Sequence, residues 1–283
     1  MSIPRDPSTG PREPRGRLAI GLLLLGLLAG CGGGARKGAA GDESFERVRK
    51  AGTLLWGADV VAGVPYVYED PHHPGQYTGF EMDIAQGIAS RLGVKLELTI
   101  RAWDTLVPEL QRGSFDLAMN GIEDTPERRH IVLFSHPYYV YSQQLTVRKG
   151  TPGVTRLADL EGKRVATLSG TAAEDILRGT PAVRAVVHPE IVYSYRDLER
   201  GKVDAVLLDK PIAVAYGASN PRLQNVGESF AEGRYVIVLR REDAALCQAV
   251  DQALDQMKAS GELGKILEKY GLMDAHQRQI GTR

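Results

Sequence analysis

Two stretches of the chain spell the same local structure. Leu110-Gln-Arg-Gly-Ser-Phe-Asp-Leu-Ala-Met-Asn120 and Leu198-Glu-Arg-Gly-Lys-Val-Asp-Ala-Val-Leu-Leu208 each read as a helix end, a glycine cap and a short buried strand. Superimposed, they place Gly121 and Asp209 at equivalent points, just past the carboxyl ends of their strands. The surrounding sequence alternates in the same way. Strands are expected over 53–58, 94–100, 115–120, 164–168, 185–188 and 203–208, with helices over 82–92, 104–111, 171–177 and 194–200. Such alternation argues for parallel α/β units, and open α/β sheets bind ligands beyond the carboxyl ends of their strands. If the echo marks two lobes, both edges face one cleft. The same helix-glycine-strand grammar also recurs by chance. The segment from 235 differs: a strand over 235–240, a helical stripe of Leu246, Val250, Ala253, Leu254 and Met257, and a last helix over 263–270 would complete an existing lobe. The polar tail from Asp274 is expected to fray.

The N-terminus is of another kind. Arg12, Arg15 and Arg17 precede an almost wholly apolar run over 18–29, which fits the hydrophobic part of a signal peptide and is too short to cross a bilayer. It ends in Leu28-Ala29-Gly30-Cys31, which resembles the bacterial lipobox. Residues 1–30 are therefore read as a lipoprotein signal peptide, Cys31 as the lipidated residue, and 31–43 as a flexible tether. A plain signal peptide, or a buried cysteine after a short helix, is the alternative. Lys+Arg and Asp+Glu both number 35, so no global charge points to nucleic acid. With Cys31 carrying lipid, no intramolecular disulfide is expected, and Cys247 reads as core on an apolar helical face.

The densest chemistry lies in residues 120–129, Asn-Gly-Ile-Glu-Asp-Thr-Pro-Glu-Arg-Arg. Thr125 offers a capping hydroxyl and Pro126 suits the first helical position. Arg128 then falls in a first turn, where the helix dipole disfavours a cation. An anionic partner resolves this, and a planar guanidinium suits a carboxylate; an ordinary surface arginine is the bland reading. Thr171-Ala-Ala-Glu174 has capping-box spacing, and Gly170 before it would let the amides of Thr171 and Ala172 face an anion. An ordinary cap uses the same residues. Asp209 before Lys210-Pro211 reads equally as an N-cap, Asp59 as a turn residue and Trp103 as core. Phosphate-binding loops, Cys-x-x-Cys and Gly-x-Ser-x-Gly are missing from the sequence, and the six histidines show no ligand spacing. Neither a metal nor a cofactor is expected.

Taken together, these residues resemble the amino-acid-binding solute-binding proteins of bacterial ABC importers (family 3, type II periplasmic-binding-protein-like). The resemblance rests on Gly52-Thr-Leu-Leu-Trp-Gly-Ala-Asp59, Thr78-Gly-Phe-Glu-Met-Asp83, residues 120–139, Leu168-Ser-Gly-Thr171 and Gly201-Lys-Val-Asp-Ala-Val-Leu-Leu-Asp209, in that order. It implies two α/β lobes joined by two crossing strands, here near 142–147 and 233–237. Lobe 1 would be 44–144 with 235–273, lobe 2 145–234, and 274–283 a polar tail. By position it also implies that Arg128 clamps a ligand α-carboxylate, helped by the amides of Gly121 and Ala172 and with Thr171 beside them. Asp209 would hold the α-ammonium, Trp103 would stack on the stem, and Asp59 would meet the ligand side chain. Two departures stand out. The family usually has Ser or Thr where this chain has Glu123, and the turn after Asp59 is one residue longer before Pro65-Tyr66, which makes Tyr66 the best choice for a second stacking ring.

A charge count sharpens the expected ligand. Asp59, Glu123 and Asp209 against Arg128 leave about two net negative charges in the cleft, which burial makes costly. A cationic amino acid (lysine, arginine or ornithine) is favoured over a neutral polar one such as glutamine. In the glutamine case Glu123 would reinforce Asp209 or bond outward to a basic residue. The expected partners are an amino acid, an ABC permease and, through lipid, a membrane, with the protein a monomer facing the periplasm or cell exterior. Two other classes compete: a sensing module acting with a separate partner, and a cyclic-acid dehydratase on the same fold with Glu123 as general acid.

Overall fold

The computed structural model describes residues 41–61 and 63–282. The signal segment, Cys31 and the tether up to residue 40 lie outside the described residues. The first half of the chain lays down α1 (Ser44–Ala51), β1 (Thr53–Ala58), a small hairpin of β2 (Tyr68–Glu69) and β3 (Tyr77–Thr78), α2 (Phe80–Leu92), β4 (Lys95–Ile100), α3 (Leu106–Gln111), β5 (Leu117–Ala118), α4 (Pro126–Arg129) and β6 (Leu133–Phe134). The second adds β7 (Tyr139–Arg148), β8 (Arg164–Leu168), α5 (Ala172–Arg178), β9 (Arg184–His188), α6 (Ile191–Glu199), β10 (Ala205–Asp209), α7 (Lys210–Ile212) and β11 (Leu223–Tyr235). The chain closes with β12 (Val238–Leu239), α8 (Ala244–Ala259) and α9 (Glu262–Lys269).

These strands form two five-stranded sheets, in the orders β4-β1-β5-β12-β6 and β9-β8-β10-β7-β11. In each, the first three strands are parallel and the fourth is antiparallel to the third. The fourth strand marks a change of sheet in both cases: β7 follows directly on β6 of the first sheet, and β12 returns to the first sheet after β11. The chain therefore passes between sheets twice, between Phe134 and Tyr139 and between Tyr235 and Val238. The return overlaps the expected 233–237. The expected outward crossing at 142–147 lies inside β7, a strand of the second sheet.

The sequence echo corresponds to one repeated joint. Gly113 and Gly201 have φ of 82° and 72° and donate their amides to Leu110 O and Leu198 O at 3.0 and 3.1 Å. Arg240, just past β12, donates Nη1 to the carbonyls of Leu110 and Phe115. Arg148, at the end of β7, donates Nη1 to the equivalent carbonyls of Leu198 and Val203, at 3.0 and 2.8 Å. β7 and the segment after β12 thus each deliver a guanidinium to two backbone carbonyls flanking a glycine turn, one of which also accepts from the glycine amide. Neither arginine lies within either repeat, so the pairing is invisible to their alignment.

Packing follows the apolar faces. The stripe Leu246, Val250, Ala253, Leu254 and Met257 is buried on α8, as are Met82, Ala85, Ile88, Ala89 and Leu92 on α2, and the two helices pack together. Cys247 is buried beside Phe134, its Sγ 3.5 Å from that residue's carbonyl. Local expectations needed correction at four places. The helix expected from residue 104 begins only at Leu106: Asp104 lies inside a 3-10 turn over Trp103–Thr105, whose first amide, that of Trp103, bonds to Asp59. The segment read as one strand over 235–240 is split, because Tyr235 ends the long β11 and the chain changes sheets before Val238. The tail does not fray: Gln277 is buried and pairs with both the amide and the carbonyl of Val140, each at 2.9 Å. Asp42, placed in the tether, accepts from the amides of Ser44 and Ala245 and so ties α1 to the start of α8.

Candidate ligand-binding site

The carboxyl ends of β1, β5, β8 and β10 converge on one cavity. Asp59, Asn120 and Gly121, Leu168 and Thr171, and Asp209 reach it from those four strand ends, and Tyr66, Trp103, Ile191 and Ile212 supply its apolar wall. The cavity thus lies beyond the carboxyl ends of parallel strands, where open α/β sheets bind ligands.

Asp209 is the carboxylate at the depth of this cavity, and it is strongly perturbed. It does not cap α7; its Oδ1 accepts from Gln143 Nε2 at 2.6 Å and its Oδ2 from the Tyr235 hydroxyl. Because Tyr235 donates there, Tyr66 must donate to Tyr235, at 2.8 Å. Burial, with the Glu123 carboxylate nearby, pushes Asp209 up to about 8, against the bonds from Tyr235 and Gln143. A second buried carboxylate, Glu81 on α2, accepts from the Gly121 amide at 2.7 Å and from the Tyr138 hydroxyl. Burial raises it to about 8 as well. Gly121 has φ 65°, and a Cβ there would meet the Tyr66 ring at 2.8 Å, so only glycine lets the loop and ring lie so close.

Glu123 and Arg128 are arranged differently from the resemblance. The Thr125 hydroxyl caps α4 by accepting from the Arg128 amide at 3.3 Å, as the Thr-Pro pair implied. The Arg128 side chain turns to its own loop: Nη1 donates to Glu123 Oε2 at 2.7 Å and to Glu123 O at 2.9 Å, and Nη2 donates to Gly170 O at 2.6 Å. Glu123 Oε1 accepts from the Ala172 amide at 3.0 Å. The Gly121 amide, expected to help hold a ligand carboxylate, is instead spent on Glu81. Thr171 caps α5 through Glu174 N at 3.3 Å, while the Glu174 carboxylate reaches back to the amide of Gly170 rather than of Thr171. Asp59, at the cavity rim, accepts from the amides of Val61 and Trp103 at 2.8 and 3.1 Å.

Three bonds span the two halves here: Trp103 Nε1 to Ser169 O at 3.0 Å, Arg128 to Gly170 O, and the Ala172 amide to Glu123. Trp103→Phe keeps the ring and removes the first. A net hydrogen bond contributes about 1 kcal/mol, so ligand affinity measured by calorimetry should fall roughly three- to tenfold. Loss of less than twofold would remove Trp103 from the closed form. Glu81, Gln143 and Tyr235 were missed from sequence. A glutamate on the apolar face of α2 was the one signal available.

The site and the two sheets define an α/β protein that holds a small molecule where two halves meet. The chain belongs to the bacterial extracellular solute-binding proteins, family 3, whose family profile it matches over residues 60–273. It is 31% identical over 259 residues to the L-cystine-binding protein of Escherichia coli (strain K12), covering 90% of this chain and 95% of that one. A crystal structure of the P235GK mutant of the arginine-binding protein from T. maritima superposes with a TM-score of 0.75 at 31% identity, over 81% of this chain and all of that one. An ancestral amino acid-binding protein described as a precursor of cyclohexadienyl dehydratase gives 0.74 at 32%, over 80% and 98%. Among the described residues, no helix is long and apolar enough to cross a membrane, and no group of three or more His, Cys, Asp or Glu is placed to hold a metal.

Proposed function

We propose that this chain is the solute receptor of an ABC importer and that its solute is a cationic member of the amino-acid class, of the size of lysine, arginine or ornithine. The single observation that carries the charge preference is the chamber itself. Asp59, Glu123, Glu190 and Asp209 line it, with no lysine or arginine among its lining residues. A buried carboxylate whose charge is left uncompensated is costly, and a ligand cation compensates it. Two lobes, one around each five-stranded sheet, would close on the solute by hinge bending about the crossings at 134–139 and 235–238. Cys31 would carry the lipid that tethers the receptor, as a monomer, to the membrane beside its permease. Family membership supports export and solute capture. The relatives' named ligands, cystine and arginine, are amino acids.

A thermal-shift screen against the common amino acids and their amine counterparts tests this reading, since a tight ligand stabilises by mass action, about 2.7 kcal/mol at a hundredfold excess over Kd. Cationic solutes should raise Tm, and a response confined to acidic or apolar solutes would refute the charge preference. The dehydratase ancestor among the neighbours motivates one further assay. Turnover of prephenate-like acids should be absent in wild type and in Glu123→Gln alike, because both Glu123 oxygens already accept from Arg128 and Ala172.

A further inference from the structure

The carboxylate of Glu123 stands where the resemblance implies a ligand's α-carboxylate: on the guanidinium of Arg128 and the amide at the start of α5. Arg128 is already engaged: Nη1 donates to the Glu123 side chain and carbonyl, and Nη2 donates to Gly170 O. Arg128 is not among the cavity's lining residues; it lines the groove on the far side, with Trp103, Ile131 and Gly170. The Glu123 side chain is only 1% exposed, and its backbone is pinned by a bridge to Tyr235. A ligand carboxylate entering here would have to expel Glu123 into a chamber that already holds the carboxylates of Asp59 and Glu190. Like charges confined together in a low dielectric oppose that exchange.

We propose that the protein binds a cation lacking the α-carboxylate, an alkyl amine or guanidine of the kind left when a cationic amino acid loses carbon dioxide, with Glu123 as a permanent internal replacement for the missing group. The inference rests on the receptor reading above: it keeps that reading's importer role and cationic solute and replaces the amino acid by its amine. In this arrangement Arg128 and Ala172 are structural partners of Glu123. One cationic end of the ligand meets Asp209 in the depth of the cavity, and the stem lies along Trp103 and Tyr66. A second cationic end faces the carboxylates of Asp59 and Glu190. The protein's own three cross-cleft bonds close the carboxylate end, so the ligand need supply only positive charge and a stem.

Calorimetry on the wild-type protein, with each amine paired with its parent amino acid, decides the matter: cadaverine against lysine, putrescine against ornithine, agmatine against arginine. The expected result is at least a tenfold preference for the amine in the pair that binds best. Glu123→Ser, checked for folding by its thermal melt, should reverse that preference by opening Arg128 to a ligand carboxylate. Tighter binding of the amino acid to wild type would overturn the inference while leaving the receptor reading intact, since it would mean that Glu123 is displaced. Binding of neither class by folded protein would overturn both.

Discussion

Asp209→Asn is expected to weaken cationic ligands at pH 8 by roughly 2–5 kcal/mol, about 30-fold to a few thousandfold, the cost of truncating one partner of a buried charge pair. The variant keeps the side-chain shape and still faces Gln143 and Tyr235, so its fold should survive. Its pH dependence discriminates further. In the empty protein Asp209 is raised to about 8 by burial and by Glu123, so below that pH it carries a proton. A bound ammonium favours the carboxylate and expels that proton. Wild-type affinity should therefore rise with pH, by up to tenfold per unit, and level off above about 8. The variant has no such proton to release, and its profile should be flat. The gap between the two narrows as pH falls. Titrations at pH 6, 7 and 8 in buffers of different ionisation heat measure both affinity and proton release. A wild-type profile as flat as the variant's would remove Asp209 from the cation site.

Stability should respond to pH through a second raised carboxylate besides Asp209. Glu81 is held at about 8 by burial, from an ordinary 4.5. A raised carboxyl binds its proton more tightly folded than unfolded, so between these values the folded state carries the extra proton. Unfolding stability then falls as pH rises from about 4.5 to 8, at up to 1.4 kcal/mol per unit. The cumulative loss is a few kcal/mol. Glu81→Gln cannot titrate, yet its amide oxygen can still accept from Gly121 and Tyr138. Urea unfolding at pH 5 and pH 8 should show the wild type losing stability relative to the variant across that interval. The difference is expected to reach several °C in Tm for a chain of this size. Equal slopes would mean that Glu81 is ionised throughout or solvated. Ligand affinity should change little, because Glu81 acts on the Gly121 loop from behind.

Much of the architecture was legible along the chain because it is local. The Gly113 and Gly201 caps, the Thr125-Pro126 helix start and the Thr171 cap are decided within a few residues, and each is where its spacing put it. The position of the ligand cavity also followed, since strand carboxyl ends are marked by where apolar runs stop. What failed was non-local. The long β11 has little alternation and two register shifts, so it exists through its pairing with β7. The polar tail reads as frayed until Gln277 finds the backbone of Val140.

The sequence by itself determined an α/β protein and singled out Asp59, Trp103, residues 120–129, residues 168–172 and Asp209 as the expected site, because periodicity, caps and turn glycines are properties of neighbours. Only the tertiary structure decided what those groups do to one another. Asp209 is raised because burial and the Glu123 carboxylate reach it from distant segments. Gly121 spends its amide on a glutamate from α2. Arg128, an arginine in want of an anion, found that anion in the chain's own Glu123, together with Gly170 and Ala172 from across the cleft. The physical reason is that hydrogen bonding and charge act over a few ångströms of space, whatever their separation in sequence, so the partner of a buried charge is settled only when the two halves meet.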